Sequence, residues 1–554
     1  MQQPLHLSKD RTPTPQEHPK IKPIVRKSYQ KKYLYRKEIM ELPKSRSKSG
    51  KAFMFNHGIS NSSQPQVIRK AGDILKNQNY LSKFDCLLYN KWFINAYFGA
   101  KLKHFSTLSE LRIQPYDEVT ETSSLQRLLK STSSLKNLTQ MDLRIAFFSQ
   151  KSFHLANGMF RILKSLRKLT RISLCLAMCS NPLPSKLSIL AYLTQLRHLA
   201  LRIFSKAQSH EENLLTLLAS VLPKMARLEQ IEIDLCYQEI QPLHLPKLFM
   251  SLRDVKNLSH ITLGILPSRF IDKDFTVVLA ESLSCLNASS IRKLQFSLFA
   301  IESPKSLAKL SHALKRFTSL NILNLDLSKL QKIEDGEDIV EFSSTLSSLV
   351  SLSSLSLNFS SMKLEKSFIG RLASALQPLK NLNLLKLRFP RAAETTEEHI
   401  HQFFSNLKGL TCLQFLSLIL EDQQSVNDIA LEIFAESLKE LTSLRKLFLD
   451  FETNHQISNK GTDSLCQAIN GLSNLSSLTL NLKKNYEIDE KAVDKIFETL
   501  THLPSLYFVE ICLHGCPKLV GKENSLVNSF DAMKKAKNFV EGHLGIFHGL
   551  LGSD

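Results

Sequence analysis

Between Arg26 and Lys37 the chain reads Arg-Lys-Ser-Tyr-Gln-Lys-Lys-Tyr-Leu-Tyr-Arg-Lys, so Tyr29, Tyr33 and Tyr35 are interleaved with Arg26, Lys27, Lys31, Lys32, Arg36 and Lys37. Cations at that density neutralise phosphates, and phenol rings among them stack on unpaired bases. The segment therefore has the chemistry of an RNA or DNA ligand. The same residues suit docking on an acidic protein, nuclear import together with Lys44, Arg46 and Lys48, or simple solubilisation. No finger-type Cys/His spacing, strand-borne aromatic signature or zipper accompanies them.

Chemistry of the catalytic kind is thin. Glu232 and Asp234 are two apart, which on a strand puts both carboxylates on one face, yet nothing supplies a cleft around them. His399 and His401, two apart on a helix, point in different directions. The nine cysteines are odd in number and scattered, and Cys175/Cys179 and Cys512/Cys516 lack a second pair to complete a zinc site. There is no Gly-x-x-x-x-Gly-Lys, His-Glu-x-x-His or Gly-x-Ser-x-Gly, and only 17 glycines for nucleotide loops. The sequence thus implies no enzyme, metal or cofactor.

A repeat must position whatever binds. Leu441-Thr-Ser-Leu444-Arg-Lys-Leu447-Phe-Leu449-Asp-Phe451 is followed by Leu472-Ser-Asn-Leu475-Ser-Ser-Leu478-Thr-Leu480-Asn-Leu482. Aligned on the third apolar position, the copies fall at Leu111, Met141, Ile172, Leu199, Ile231, Ile261, Leu294, Leu323, Leu355, Leu385, Leu416, Leu447, Leu478 and Val509. Those are fourteen copies, and their intervals of 27 to 33 residues average about 31. Around each anchor, apolar and polar residues alternate, which is the period of a strand with one buried face. Between strands the period changes to three and four, as in Val426, Ile429, Ala430, Ile433, Phe434 and Leu438, which predicts a helix of about three turns. A strand plus a helix needs more room on the helical side, so stacked copies curve. The fold class expected is α/β: a curved solenoid of about fourteen strand–helix repeats, with an inner parallel sheet and outer helices.

On these residues the chain resembles leucine-rich repeat proteins, specifically the long intracellular ribonuclease-inhibitor-like repeats, and among them the divergent leucine-rich repeat proteins of ciliates. The resemblance implies a binding scaffold and names no partner. One departure stands out. Three residues after the second strand leucine the family usually places Asn or Cys, whereas here stand Ser328, Ser360, Pro390, Glu421, Glu452, Lys483 and His514, with only Cys236 conforming. An apolar residue instead ends each strand, for example Leu327, Phe359, Phe389, Leu420 and Phe451. The expectation is that packing replaces the usual turn support.

The register gives an inner surface of mixed character. Arg112, Arg144, Arg171 and Arg202 make the first repeats modestly positive, and Glu232, Asp234, Asn324 and Asp326 make the middle neutral to acidic. Phe415, Ile419, Phe448 and Phe508 are expected to face outward near the C-terminal end, with Asp326 and Asp450 beside that face as further candidate contacts for a protein partner. The alternatives are a register one residue off, or cover by the C-terminal cap.

Charge divides the chain. Residues 1–70 hold sixteen basic and four acidic residues, so they contribute +12 of the net +21, and Pro4, Pro13, Pro15, Pro19, Pro23 and Pro43 interrupt them. They read as a basic, mostly disordered arm. Residues 71–104 read as a helical N-terminal cap, with Phe84, Leu87, Leu88, Trp92, Phe93, Ile94 and Phe98 covering the first unit. An adaptor-binding F-box helix is the alternative, but it lacks the leading Leu-Pro. The solenoid takes 105–513, and 514–554 form a C-terminal cap and tail, with a helix near Asn528–Val540 covering the last strand. No apolar run approaches the roughly 18–20 residues of a membrane span. Met1-Gln2-Gln3-Pro4 lacks a secretory pattern, so an intracellular protein of the cytoplasm or nucleus is expected. Three functions follow in order of support: protein binding on the concave face, nucleic-acid binding through the arm, and regulation of a small GTPase, which no residue supports.

Overall fold

The computed structural model describes residues 51–55, 81–88, 107–115, 130–147, 160–178, 185–205, 214–235, 244–265, 275–297, 306–328, 336–391, 395–537 and 541–545. These residues fall within one compact unit that begins at Gly50. They form a curved solenoid in which parallel strands alternate with helices. The strands are β1 (Lys51–Phe55), β2 (Leu81–Leu88), β3 (Glu110–Pro115), β4 (Gln140–Phe147), β5 (Arg171–Met178), β6 (His198–Ser205), β7 (Gln230–Leu235), β8 (His260–Ile265) and β9 (Lys293–Ser297). They continue with β10 (Ile322–Asp326), β11 (Ser354–Asn358), β12 (Leu384–Arg388), β13 (Phe415–Ile419), β14 (Lys446–Asp450), β15 (Ser477–Asn481), β16 (Phe508–Cys512) and β17 (Glu541–Gly545). Each pairs in parallel with the next, giving an open 17-stranded sheet with helices on its outer side.

The fourteen anchor positions read from the sequence occupy β3 to β16 and lie directly opposite one another: Leu111 beside Met141, Leu294 beside Leu323, and so on through Leu478 beside Val509. Their side chains are buried because each has a neighbour's apolar anchor beside it. Full burial of one such side chain stabilises by about 1.5–3 kcal/mol. The predicted helices are present at Phe368–Leu376, Asp428–Lys439 and Glu490–His502. The shortest interval, 27 residues between Ile172 and Leu199, holds the 3-10 segment Ser185–Tyr192 instead of an α-helix. A 3-10 turn rises about 2.0 Å per residue against 1.5 Å, so fewer residues cover the distance back to the sheet.

Both ends differ from expectation. Within the stretch expected to be a helical cap, Leu81–Leu88 is a strand whose Phe84 lies opposite Leu111, and Lys51–Phe55, assigned to the arm, is a strand beside it. At the other end the helix is Glu523–Lys537. It packs against the preceding helix through Phe497 and Phe530, ring centroids 5.6 Å apart, and does not lie across the sheet edge. The last strand of the array is covered instead by β17, which adds its own hydrogen bonds to β16. Large apolar residues at the termini thus extend the repeat, because a stacked unit buries them as well as a cap does.

The strand-ending apolar residues do pack as expected. Phe359 meets Phe342, Phe368 and Phe389 at 6.5, 5.0 and 6.2 Å between ring centroids, and Phe389 meets Phe403 at 5.5 Å. The aromatic column continues through Phe404 and Phe434 at 4.7 Å to Phe451 at 6.5 Å.

The turn support is displaced rather than absent. Two residues beyond the expected position stands a polar residue that reaches back one unit. Asn454 Nδ2 donates to the Leu420 carbonyl at 2.8 Å, Asn485 Nδ2 to Phe451 at 2.9 Å, and Cys516 Sγ to Leu482 at 3.2 Å. The Asn454 Oδ1 also accepts the Gln423 N–H at 2.5 Å. The residue just before each carries a left-handed backbone: Asp422, Thr453 and Lys484 at φ 56°, 65° and 56°, and Gly515 at 78°. Such a conformation is unfavourable for a non-glycine residue. It is held by ladder bonds that continue past the strand, from the N–H of Asp422 to Glu452 O (2.8 Å), Thr453 to Lys483 O (2.8 Å) and Lys484 to His514 O (2.9 Å).

Asn454 is 1% exposed, so Asn454→Ala leaves the Leu420 carbonyl and the Gln423 N–H without partners where water cannot replace them. A loss of about 1–3 kcal/mol per orphaned group is expected. It should appear as a lower urea midpoint than for Asn474→Ala, whose side chain is exposed. Equal midpoints would show that the turn is held by packing alone.

Candidate functional site

The face of the sheet away from the helices presents three rows of side chains, because strand residues alternate in direction and all pairs are in register. One row runs Leu384, Phe415, Lys446, Ser477, Phe508. The next runs Lys386, Ser417, Phe448, Thr479, Glu510. The third runs Arg388, Ile419, Asp450, Asn481, Cys512. Phe415, Ile419 and Phe448 lie on adjacent strands, with Phe448 diagonal to the other two, and all three are half-buried. The Lys386 ammonium sits 4.8 Å over the Phe415 ring, a cation–π interaction at the patch margin. Phe508 is apart: three strands away on the Phe415 row, with Lys446 and Ser477 between, it lies near His543 at 6.5 Å between rings.

The two carboxylates behave differently from each other. Asp326 is half-buried and its Oδ1 accepts the Ser328 N–H at 3.1 Å, closing a turn at the end of β10. Asp450 is 9% exposed and belongs to a network. Its Oδ1 accepts from Asn481 Nδ2 at 2.8 Å and from the Glu452 N–H at 3.2 Å. Burial raises the Asp450 carboxyl above the ordinary value, and the nearby Glu421 and Glu452 charges push the same way against those two hydrogen bonds. Around it, Glu421 accepts from Arg388 at 3.3 Å and Arg391 at 2.5 Å, and Glu452 pairs with Lys484 at 2.8 Å. Burial works against the Glu452 charge, but Lys484 and Asn481 outweigh it and hold this carboxyl below its usual value.

Glu421 is a functional-site residue that turn-pattern reasoning reads only as a departure from the family's Asn or Cys. A signal for it exists in the sequence: Arg388 and Arg391 precede it by 33 and 30 residues, close to one period, so opposite charges meet across neighbouring strands. Elsewhere on this face Glu232 lies 3.5 Å from His198, whose other ring nitrogen meets Gln230 at 2.6 Å, and Arg112 pairs with Asp142 at 3.1 Å. His399 bonds to the Thr396 hydroxyl that caps its own helix. Among the described residues no group of three or more His, Cys, Asp or Glu is arranged to hold a metal ion, and no helix is long and apolar enough to cross a membrane. The nucleic-acid candidates from Arg26 to Lys37, with Tyr29, Tyr33 and Tyr35, lie outside the described residues.

Asp450→Asn keeps a hydrogen-bond acceptor in place and removes a charge that burial disfavours. Because the folded carboxyl pKa is raised, the folded state binds more protons than the unfolded chain between the ordinary carboxylate value and the raised one. The wild type therefore gains relative stability as pH falls through that window. Asp450→Asn should melt higher than wild type at neutral pH, with the advantage shrinking on acidification. A variant that melts lower at every pH would mean that the carboxylate charge itself supports the network.

No protein-family model matches the chain, and no curated protein matches it. Among solved structures it is similar to a chain in the crystal structure of the Rad7 and Elc1 complex in yeast, at 17% identity over 81% of this chain and 92% of that chain, with a TM-score of 0.41. A likeness of that degree carries no argument about function.

Proposed function

We propose that the chain is a non-catalytic scaffold, a divergent leucine-rich repeat solenoid that takes another protein on its concave face. The reading rests on one observation: Phe415, Ile419 and Phe448 form a half-exposed apolar group on adjacent strands, bordered by Lys386 and by the fixed charges of Glu421, Asp450 and Arg388. Apolar side chains spaced by a rigid sheet and ringed by oriented polar groups are the arrangement of an interface centre. The charges are held by their neighbours, so a partner meets a surface that is already ordered.

Full-length protein with Phe415→Ala and Phe448→Ala should retain its melting temperature and fail to capture a protein that the wild type captures from native cells. Binding of that purified protein should weaken about 30-fold or more, the effect of removing a residue central to an interface. Val340→Ala, on an exposed position of the outer helix Gly336–Ser348, should bind as the wild type does. Capture that survives the double substitution would remove the concave apolar group from the function.

A second reading has its own observation, the +12 charge and interleaved tyrosines of residues 1–70. In it the arm binds nucleic acid, and the protein belongs to a ribonucleoprotein or chromatin assembly. Replacing Arg26, Lys27, Lys31, Lys32, Arg36 and Lys37 with Gln in the full chain should weaken RNA or DNA binding and flatten its salt dependence. The slope should fall by about 0.7–0.9 for each phosphate that is no longer neutralised. Capture on the concave face should be unaffected. An unchanged salt slope would refute a role for these six cations.

A further inference from the structure

Residues 71–554 carry a net charge of +9, and it is not spread evenly. In a parallel, in-register sheet every segment leading from a helix into the next strand lies along the same edge. Seven such segments in the first half, 130–137, 164–168, 192–197, 222–229, 252–257, 284–293 and 315–321, hold fourteen lysines and arginines against only Glu229 and Asp254. This edge is therefore +12, and everything else in 71–554 comes to −3. The six corresponding segments of the second half, 347–353, 377–383, 406–414, 439–446, 470–477 and 502–507, hold five cations and one acid.

Cations near helix C-termini offset the helix dipole, which would account for some of them. It does not account for the asymmetry. The later helices Gly336–Ser348, Phe368–Leu376, Glu397–Leu407 and Asn459–Asn470 have no basic residue in their last turns and form without one.

The charges on this edge are oriented without being neutralised. Lys168 Nζ rests on Asn137 Oδ1 at 2.8 Å, Arg227 on Gln195 Oε1 at 2.5 Å and Arg316 on the Ser284 carbonyl at 2.5 Å. Each acceptor is neutral and belongs to the preceding unit, so the cation is fixed in direction and keeps its full charge. Among the described residues of the edge, the ion pairs are Arg197 with Glu229 and Arg253 with Asp254, both exposed. Tyr192, 56% exposed, stands in the same row with the Lys164 ammonium 4.3 Å over its ring.

We propose that this edge binds the phosphate backbone of a nucleic acid. Seven units at the strand spacing of about 4.8 Å make a run of about 29 Å, against about 34 Å for one turn of a duplex. A line of cations one segment deep matches a linear polyanion. An anionic bilayer would call for a broad face with apolar side chains to insert. The inference stands apart from the concave-face reading, because the two share no residue, and from the arm, because it concerns the folded repeats.

The test uses the full-length protein and fluorescence anisotropy, with a labelled DNA duplex of two helical turns and a labelled single-stranded RNA, between about 50 and 200 mM salt. Lys136→Glu, Arg167→Glu and Lys256→Glu are combined in one variant. Lys380→Glu, Lys408→Glu and Lys439→Glu, on the same edge in the second half, give a control with the same change in net charge. All six side chains are exposed, and melting curves verify folding. The first variant should bind about tenfold more weakly or worse, with a salt slope lower by about 2–3, while the control stays within about threefold of wild type. A milder set with Gln at Lys136, Arg167 and Lys256 should fall between them. Equal losses in test and control variants, or none in the test variant, would overturn the proposal. So would binding to phosphatidylserine-rich vesicles with no binding to either nucleic acid.

Discussion

Leu447 is dry because Leu416 lies on one side of it and Leu478 on the other. No residue within its own unit could do the same, since a five-residue strand and a single helix enclose nothing. Every other property of the molecule follows from that dependence on neighbours. It requires parallel pairing, because only strands running the same way bring equivalent leucines opposite each other. It sets the period near 31 residues, the chain needed to leave the sheet, form a helix and return. It also leaves one face of the sheet free of helices, and that face carries side chains placed by the backbone rather than by loops.

The polar devices obey the same rule. Asn454 and Asn485 bond to the strand end of the preceding unit, and the carboxylate of Asp428 accepts the Ser458 N–H at 2.8 Å and the Gly461 N–H at 3.0 Å at the start of the following helix. A side chain at Gly461 would stand 2.5 Å from that carboxylate oxygen, so the close approach of successive helices needs glycine there. The left-handed residues Asp422, Thr453 and Lys484 are tolerated for the same reason: the next unit's carbonyls fix their N–H groups.

The fold is legible in the sequence because its signal is repeated. Leucines at three fixed offsets, thirteen intervals long, put every anchor from Leu111 to Val509 in its observed register. The ends are less legible. Phe84 and Leu544 continue the pattern without the flanking leucines, and isolated apolar residues do not distinguish a strand from a capping helix. The turn asparagines escape a count that starts from Leu449 rather than from Phe451, because the chain here runs two residues further before it turns. On the concave face, direction is predictable from alternation, and Phe415, Ile419 and Phe448 face out. Depth is not, because exposure depends on what stands one period away. Asp450 looks like a surface acid in isolation and is enclosed by Glu452, Asn481 and their partners.

A barrel fixes its strand number, since the first and last strands must meet. The sheet here is open and its interfaces repeat: the four intervals from Leu385 to Val509 are all 31 residues. Duplicating or excising one such segment would give each flanking strand a partner of the same shape and register as before. The length of this molecule is therefore a quantity that gene-level duplication or loss can adjust in single steps, lengthening or shortening its inner surface without redesigning the units that remain.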